Sequence, residues 1–162
     1  MKKTCILIVE DETVVAADMR NMLEHLGYAV TGNVVSGEDA LGCREREAVD
    51  LVLMDIRLCG SLDGIQTAGM IHERWGVPIV FLTAYEDEDT LQRAKQNGSY
   101  GYILKPFHLR ELRSVIETAM YRHTMEQRLQ EAYTLVEQRV FERTAELLLA
   151  NRQLEREIDE RV

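Results

Sequence analysis

The sequence predicts an α/β protein: a five-stranded parallel sheet in the order 2-1-3-4-5, doubly wound by helices and followed by a long C-terminal helix. Short apolar runs without alternation, such as Leu51–Met54, have the composition of strands buried on both faces. These runs alternate with segments of helical periodicity, the pattern of right-handed βαβ units in a parallel sheet. Residues 107–162 contain no Gly or Pro, although the preceding residues hold ten Gly and two Pro. That shift in composition predicts the long helix.

Each element follows from local signals. The predicted strands are Cys5–Val9, Ala29–Val35, Leu51–Asp55, Ile79–Leu82 and Tyr102–Leu104. Gly32 interrupts the second strand and favours a place at the sheet edge. The predicted helices run from Thr13 to about Leu26, from Ser36 to about Ala48, from Gly64 to about Trp75, over two to three turns ending at Asn97-Gly98, and over 107–162. Ser36, with Asp39 three residues later, resembles a capping box.

Composition restricts the partners and the compartment. The formal net charge is -9, and the acidic excess belongs to residues 1–108, with 17 acidic and 10 basic side chains against 11 and 9 in the remainder. No basic cluster points to a nucleic acid or a membrane surface, so neither is expected as a partner. Three cysteines without CxxC spacing predict no disulfide framework and no zinc site. We therefore expect a reducing, cytoplasmic location.

Polar side chains follow the apolar strands at the points where those strands end. Glu10 and Asp11 come directly after the first strand, Asp55 ends the third, and Thr83 and Lys105 follow the fourth and fifth. In this strand order the first and third strands flank the switch point, where ligands bind beyond the carboxyl ends of the strands. The sequence therefore predicts that these five side chains meet in one crevice.

The chemistry expected of this crevice is phosphoryl transfer. Three carboxylates in one pocket repel one another unless a cation compensates them, and a hard ion such as Mg²⁺ (or Mn²⁺) prefers oxygen ligands. The backbone carbonyl of Arg57 is the nearest further ligand. Lys105 and Thr83 would bind the remaining phosphoryl oxygens. These parts suit attack of the Asp55 carboxylate on phosphorus to give an aspartyl phosphate.

Several motifs, spread over four strand ends, resemble the receiver domain of bacterial two-component response regulators. The resemblance covers about residues 3–122 and rests on Glu10-Asp11, Asp55, Leu82-Thr83-Ala84 and the run Gly101–Phe107. It implies Asp55 as phosphoacceptor, Glu10 and Asp11 as Mg²⁺ ligands, Lys105 as phosphoryl ligand, Thr83 as switch hydroxyl, Tyr102 as switch aromatic and a cis Lys105-Pro106 bond. The implied partner is a histidine kinase or phosphotransfer protein, and the only catalysis would be of the protein's own phosphorylation and dephosphorylation.

Two features depart from the usual receiver pattern. The loop from Leu58 to Gly64 is one residue longer than usual and carries Cys59 where many receivers have Pro. Arg57 and Tyr85, two residues beyond the acceptor and the switch threonine, are bulkier than a small polar residue. Because they would crowd the line of water attack, we expect slow loss of the phosphoryl group.

The C-terminal segment has the pattern of a coiled coil. Thr144, Leu147, Asn151, Leu154 and Ile158 fit positions a, d, a, d, a of a heptad, whereas Tyr133, Val136 and Val140 fit another phase. A stutter between the two phases is implied. The segment is similar to connectors that precede PAS or histidine-kinase domains, which predicts a receiver over 1–122, a coiled-coil extension over 123–162, a parallel homodimer and a possible fused output domain. The alternative is a solvated single helix stabilised by charge pairs.

Three other functions fit parts of the pattern. A hydrolase of the haloacid-dehalogenase kind also uses an Asp nucleophile, but it needs a second Asp where this chain has Arg57. Receivers fused to RNA-binding antiterminators share the pattern Asp-Ile-x-Leu-x-Gly-x-x-Asp-Gly-Ile that this chain has at residues 55–65. The RNA module of such proteins needs helical turns that residues 107–162 lack. A non-phosphorylated, receiver-like dimerisation scaffold is the third, and failure of Asp55 to accept a phosphoryl group would favour it.

Overall fold

The computed structural model describes residues 3–84 and 88–162 and confirms the predicted fold class. The strands are β1 (Cys5–Val9), β2 (Ala29–Val34), β3 (Leu51–Asp55), β4 (Ile79–Thr83) and β5 (Ser99–Leu104). The helices are α1 (Thr13–His25), α2 (Gly37–Arg46), α3 (Gly64–Trp75), α4 (Glu88–Gln96) and α5 (Leu109–Arg161). All neighbouring strands are parallel, in the order β2-β1-β3-β4-β5.

Two hydrophobic layers enclose the sheet. One face carries the apolar residues of α2, α3 and α4, with the Phe81 side chain of β4 fully buried among them. The other face carries those of α1 and the first turns of α5, which pack on Ile6, Ile8, Leu51 and Leu53. Every residue of β3 and β4 is buried. This double coverage explains why the central strands are continuous apolar runs.

The largest difference from the sequence prediction is the start of β5. This strand begins at Ser99, three residues before the predicted start at Tyr102, and its pairing with β4 shifts register between Ile79 and Val80. The irregularity lets a stretch that includes Gly101 pair with β4 without the apolar alternation that marks a strand in sequence. At the other edge, Gly32 follows a similar register shift in β2, as expected of a weak edge strand.

Side chains cap the N-termini of α2 and α3. The Ser36 hydroxyl accepts a hydrogen bond from the backbone N–H of Asp39 at the start of α2. At the start of α3, Asp63 forms a full capping box with Gln66. The next residue, Gly64, lies so close to β3 that an ideal Cβ would overlap the carbonyl oxygen of Asp55. The Lys105-Pro106 peptide bond is cis, as the resemblance to receivers implied.

The chain divides into two compact units, Met1–His123 and Thr124–Val162. The first contains the sheet and its helices. The second is the distal part of α5, in which every residue from Met125 onward is exposed. We refer to residues 124–162 as the tail. Within 3–84 and 88–162, no helix combines the length and the apolar character that crossing a bilayer requires.

Candidate functional site

The carboxyl ends of β1, β3, β4 and β5 bring the five predicted site residues to one edge of the sheet. Glu10, Asp11 and Asp55 each place a carboxylate oxygen within 4.8 Å of the others. Lys105 Nζ lies 2.8 Å from Asp55 Oδ2 and 2.6 Å from Glu10 Oε2. The Lys105 ammonium therefore contacts two of the three acids, and the cluster holds more acidic than basic groups.

Asp55 is held from two sides. Its Oδ1 accepts a hydrogen bond of 2.9 Å from the backbone N–H of Arg57, and its Oδ2 accepts one of 2.8 Å from Lys105. Its side chain is 9% exposed, so the carboxylate is mostly shielded but borders the cavity above the sheet. Fixing both oxygens limits rotation of the carboxylate and keeps it directed into that cavity.

Glu10 lies deeper than the other two acids. It is fully buried, and its Oε1 accepts a hydrogen bond of 3.1 Å from the backbone N–H of Glu12. Burial, together with the charge of Asp55, raises the pKa of Glu10 to about 7, although the bond from Lys105 acts in the opposite direction. Burial would lower the pKa of Lys105, but its bonds to Asp55 and Glu10 outweigh that effect and raise it.

The switch residues predicted by the resemblance are found in two different settings. The Thr83 side chain is nearly buried, and its hydroxyl donates a 3.0 Å hydrogen bond to the carbonyl oxygen of Ala84. Tyr102 is 45% exposed on β5.

The sequence also predicts two bulky residues that modulate water attack. Of these, Arg57 is exposed and borders the cavity. Tyr85, the other predicted modulator of water attack, lies outside the described residues.

A cavity of about 340 Å³ opens beside the carboxylates. Its lining residues are Asp11, Glu12, Asp55, Ile56, Arg57, Thr83, Ala84, Thr90 and Lys105. Oxygen atoms from carboxylates and a hydroxyl, with one ammonium group, are what a hard divalent cation and a phosphoryl group require. The donor set therefore fits the Mg²⁺ that the sequence predicts.

Sequence reasoning missed two contributors to this site. The Cys59 thiol donates a hydrogen bond of 3.1 Å to Asp11 Oδ2, and that bond raises the pKa of the thiol. Thr90, in the first turn of α4, lines the cavity. The sequence marked Cys59 only as a departure in the β3–α3 loop and gave no reason to place it in the site, and a threonine early in a helix carries no spacing signal. The long β3–α3 loop is also attached to α2, since the Ser61 hydroxyl donates to Glu38.

The fold and the site together define a class of protein. Residues 6–117 match the family described as the response regulator receiver domain. The match spans more than half of the chain, and the fold, strand order and acidic crevice agree with it. The chain belongs to the response regulator receiver family.

Individual relatives place the chain more closely within that family. It is 37% identical over 117 residues to the transcriptional regulatory protein PdtaR of Mycobacterium tuberculosis, covering 72% of this chain and 57% of that protein. The signal receiver domain of a modulated diguanylate cyclase from Desulfovibrio desulfuricans is 40% identical, with a TM-score of 0.73, covering 77% of this chain and 99% of that one.

A third relative is also matched over nearly its whole length by part of this chain. The N-terminal domain of a response regulator/sensory box/GGDEF 3-domain protein from Carboxydothermus hydrogenoformans is 33% identical, with a TM-score of 0.69, covering 76% of this chain and 98% of that one. Full-length PdtaR, by contrast, is matched over only 57% of its length. The similarity therefore concerns the receiver.

Proposed function

We propose that this receiver accepts a phosphoryl group on Asp55 from the phosphohistidine of a histidine kinase or phosphotransfer protein. The observation that carries the proposal is the setting of Asp55: it borders the cavity, with the Lys105 ammonium on one oxygen and two further acids close by. In the transfer the P–N bond of phosphohistidine breaks as a P–O bond to Asp55 forms. Membership of the family supports signalling activated by phosphorylation.

Each site residue then has a role in the proposal. Glu10, Asp11, Asp55 and the carbonyl of Arg57 would hold Mg²⁺ (or Mn²⁺). Held there, the ion would supply positive charge to offset the negative charge that develops on the phosphoryl group during transfer. Lys105, already beside Asp55, would remain paired with the phosphoryl group. Asp55 supplies the attacking oxygen, and the backbone N–H of Arg57 holds the other carboxylate oxygen in place.

Activation would exchange hydrogen-bond partners at the end of β4. The Thr83 hydroxyl now donates to the carbonyl of Ala84, and we propose that it turns to a phosphoryl oxygen once Asp55 is modified. The half-exposed Tyr102 would then move inward. A small shift at one strand end is thereby converted into a change of the surface formed by α4, β5 and the root of α5.

Intact mass after incubation with acetyl phosphate and Mg²⁺ tests the assignment of Asp55. The wild-type chain should gain one phosphoryl group, and Asp55→Asn should gain none. Asp63→Asn is the matched control, because Asp63 caps α3 without contacting the acidic cluster, and it should still be modified. An adduct that survives in Asp55→Asn would contradict the assignment, and a wild-type chain that gains no phosphoryl group would favour the scaffold role.

The bulky residues beside the acceptor lead us to propose slow self-dephosphorylation. Arg57 borders the cavity through which water must approach, and Tyr85 is the second residue in this proposal. Each ~1.4 kcal/mol added to the barrier slows hydrolysis tenfold. Phosphoprotein decay should be faster in Arg57→Asn/Tyr85→Glu than in wild type. Equal decay in the two proteins would show that these side chains do not gate water.

We further propose that the signal leaves through a parallel dimer of the tail, with a receiver over 1–122 and a coiled coil over 123–162. Asn151 would lie at an a position between Leu147 and Leu154, where a buried Asn pair favours two parallel strands in register. Two of the structural relatives come from a modulated diguanylate cyclase and from a response regulator/sensory box/GGDEF 3-domain protein, which favours a fused output domain. We also propose that the protein is located in the cytoplasm.

Cysteine crosslinking tests the orientation of that dimer. Asn151→Cys, in a background with Cys5, Cys43 and Cys59 replaced by Ser, should form a disulfide between equivalent positions under mild oxidation. Gln153→Cys is the control, since position 153 lies away from the expected seam and should crosslink poorly. A dimer that forms no disulfide at position 151 would contradict a parallel arrangement.

A further inference from the structure

Two of the three carboxylates in the acidic cluster are held by the same kinds of donor. Glu10 accepts a hydrogen bond from the backbone N–H of Glu12, and Asp55 accepts one from the backbone N–H of Arg57. Both carboxylates also contact the Lys105 ammonium. A backbone donor and one ammonium group therefore fix these two acids in place.

The third acid, Asp11, is held by a side chain from a loop. Among the residues that the structure describes, the one donor bound to its carboxylate is the Cys59 thiol, which lies 3.1 Å from Oδ2. Asp11 is also the only partly exposed member of the cluster, whereas Glu10 and Asp55 are buried. The orientation of the Asp11 carboxylate therefore depends on the thiol.

Electrostatic repulsion makes such a donor necessary. The carboxylate oxygens of the three acids lie within 4.8 Å of one another, a separation at which like charges repel strongly. The Lys105 ammonium contacts Glu10 and Asp55. A partly exposed Asp11 without a donor would turn its carboxylate towards water, which reduces the repulsion and removes one oxygen ligand from the cluster. The thiol bond opposes that rotation.

The same bond leaves Asp11 able to bind a cation. An ionised carboxylate offers about four lone-pair sites, so one thiol proton on Oδ2 leaves the others free for a metal ion. Hydrogen bonds to the residues that bind a metal fix the orientation of those residues, and losing such a bond weakens metal binding about 10- to 100-fold. The thiol of Cys59 has this relation to the carboxylate of Asp11.

The loop that carries Cys59 is anchored on its C-terminal side. The Ser61 hydroxyl donates a hydrogen bond to the Glu38 carboxylate on α2. Two residues later, Asp63 accepts a hydrogen bond of 2.7 Å from the backbone N–H of Gln66 and so caps α3. Contacts with α2 and α3 therefore hold the loop in the conformation that brings the thiol to Asp11.

We propose that Cys59 is a positioning residue for the divalent cation: its thiol keeps the Asp11 carboxylate in the acidic cluster, where Asp11 binds Mg²⁺. The inference rests on the proposed function, which makes Asp11 a ligand of that ion. The thiol acts on metal affinity and not on the transfer step, because it binds Asp11, while other donors hold Asp55.

Titration calorimetry of the full chain with magnesium chloride tests the inference. Cys59→Ala removes the donor and should weaken Mg²⁺ binding about tenfold, at the lower end of the range for such bonds because a thiol is a weak donor. Cys59→Ser keeps a donor of similar size and should bind Mg²⁺ with nearly wild-type affinity. Cys5→Ala is the matched control: Cys5 begins β1, whereas the acidic cluster lies beyond its other end, so the affinity should not change.

The rate of modification by acetyl phosphate separates loss of metal affinity from damage to the fold. At subsaturating Mg²⁺, Cys59→Ala should be modified more slowly than wild type, in proportion to its weaker affinity. Saturating Mg²⁺ should restore the wild-type rate. Because Cys59 is exposed, its replacement should leave the stability of the first unit nearly unchanged. A variant that stays slow at saturating Mg²⁺ would overturn a role confined to metal binding.

The possible results separate this inference from the proposed function. Equal Mg²⁺ affinity in wild type and Cys59→Ala would overturn the role of the thiol and leave the proposed function standing. A loss in Cys59→Ser as large as that in Cys59→Ala would also overturn it, because a donor at this position would then not hold Asp11. A wild-type chain that binds Mg²⁺ but gains no phosphoryl group would overturn the proposed function alone, since the calorimetry would still decide the role of the thiol. A wild-type chain that binds no Mg²⁺ would overturn both.

Discussion

The two units of this chain use the same apolar residue types in opposite ways. In the first unit Phe81 is fully buried between the sheet and its helices, while in the tail Phe141 is 77% exposed. Both units contain many leucines, yet the fully buried ones lie in the first unit. The first unit buries its apolar residues in its own core, whereas the apolar residues of the tail are exposed.

The polar residues differ between the units in a corresponding way. The first unit buries Glu10, Asp55 and Thr83 at one edge of its sheet, where they are held by hydrogen bonds and by Lys105. In the tail, every residue from Met125 onward is exposed, charged groups included. Burial of polar groups is costly unless they are paired, so such an arrangement is expected at a functional site. The paired and buried polar groups that mark a functional site are therefore found in the first unit.

Replacing one phenylalanine in each unit is the strongest test of this contrast. Phe81→Ala should lower the free energy of unfolding of the first unit by about 3–5 kcal/mol, because it removes a fully buried ring and leaves a cavity. Phe141→Ala should leave that free energy within about 0.5 kcal/mol of wild type, since surface changes have small effects. Urea unfolding followed by Trp75 fluorescence measures both.

The two phenylalanine variants also differ in what they should leave intact. Phe141→Ala should still accept a phosphoryl group at the wild-type rate. If Phe141→Ala destabilised the Trp75 transition by as much as Phe81→Ala, the two units would form one cooperative structure, and the contrast drawn here would be wrong.

Two glycines of α3, both in the first unit, should differ in how their replacement by alanine changes stability, by less than the two phenylalanines do. A Cβ at Gly64 would overlap the carbonyl oxygen of Asp55 and lie 2.9 Å from Ile56 Cα, whereas one at Gly69 would meet nothing within 4 Å. Gly64→Ala should therefore cost about 1–3 kcal/mol, as overpacking does. Gly69→Ala should gain up to about 1 kcal/mol from its better helix propensity.

Phosphorylation separates the local effect of Gly64 from its effect on stability. Because the displaced backbone belongs to the acceptor strand, Gly64→Ala should also slow modification of Asp55 by acetyl phosphate. Gly69→Ala should not. Equal rates in the two variants, measured where both are fully folded, would show that the contact with Asp55 does not position the carboxylate.

Much of the first unit could be predicted because its signals are local. The apolar runs before Asp55 and Thr83 fixed both the strands and the points where their carboxyl ends meet, so the crevice followed from topology. The start of β5 at Ser99 could not be predicted, since a register shift in its pairing with β4 hides the alternation. The bond from Cys59 to Asp11 depends on a loop conformation that no residue type specifies.

The tail shows the converse limit of sequence reasoning. Its heptad phases and the stutter near Val140 were visible in sequence, and the helix is present without interruption to Arg161. The partner of the tail could not be predicted, because apolar spacing indicates an associating face but does not identify the chain that binds it. The family of the first unit follows from its own residues, whereas the partner of the tail does not follow from the tail alone.

The smallest changes in stability are expected from exposed ion pairs on α5. Removing one partner of such a pair tests whether the tail is a single solvated helix held by charge pairs. Arg113 and Glu117 are 2.8 Å apart in the first unit, and Arg143 and Glu146 are 3.4 Å apart in the tail. Such pairs contribute about 0.2–0.5 kcal/mol each, too little to hold a long exposed helix without a partner.

Glu117→Gln and Glu146→Gln should each change stability by less than about 0.5 kcal/mol in thermal unfolding followed by circular dichroism. Tail helicity should instead depend on protein concentration. A loss above about 1 kcal/mol in Glu146→Gln, with no concentration dependence, would favour the single charged helix over an associated one.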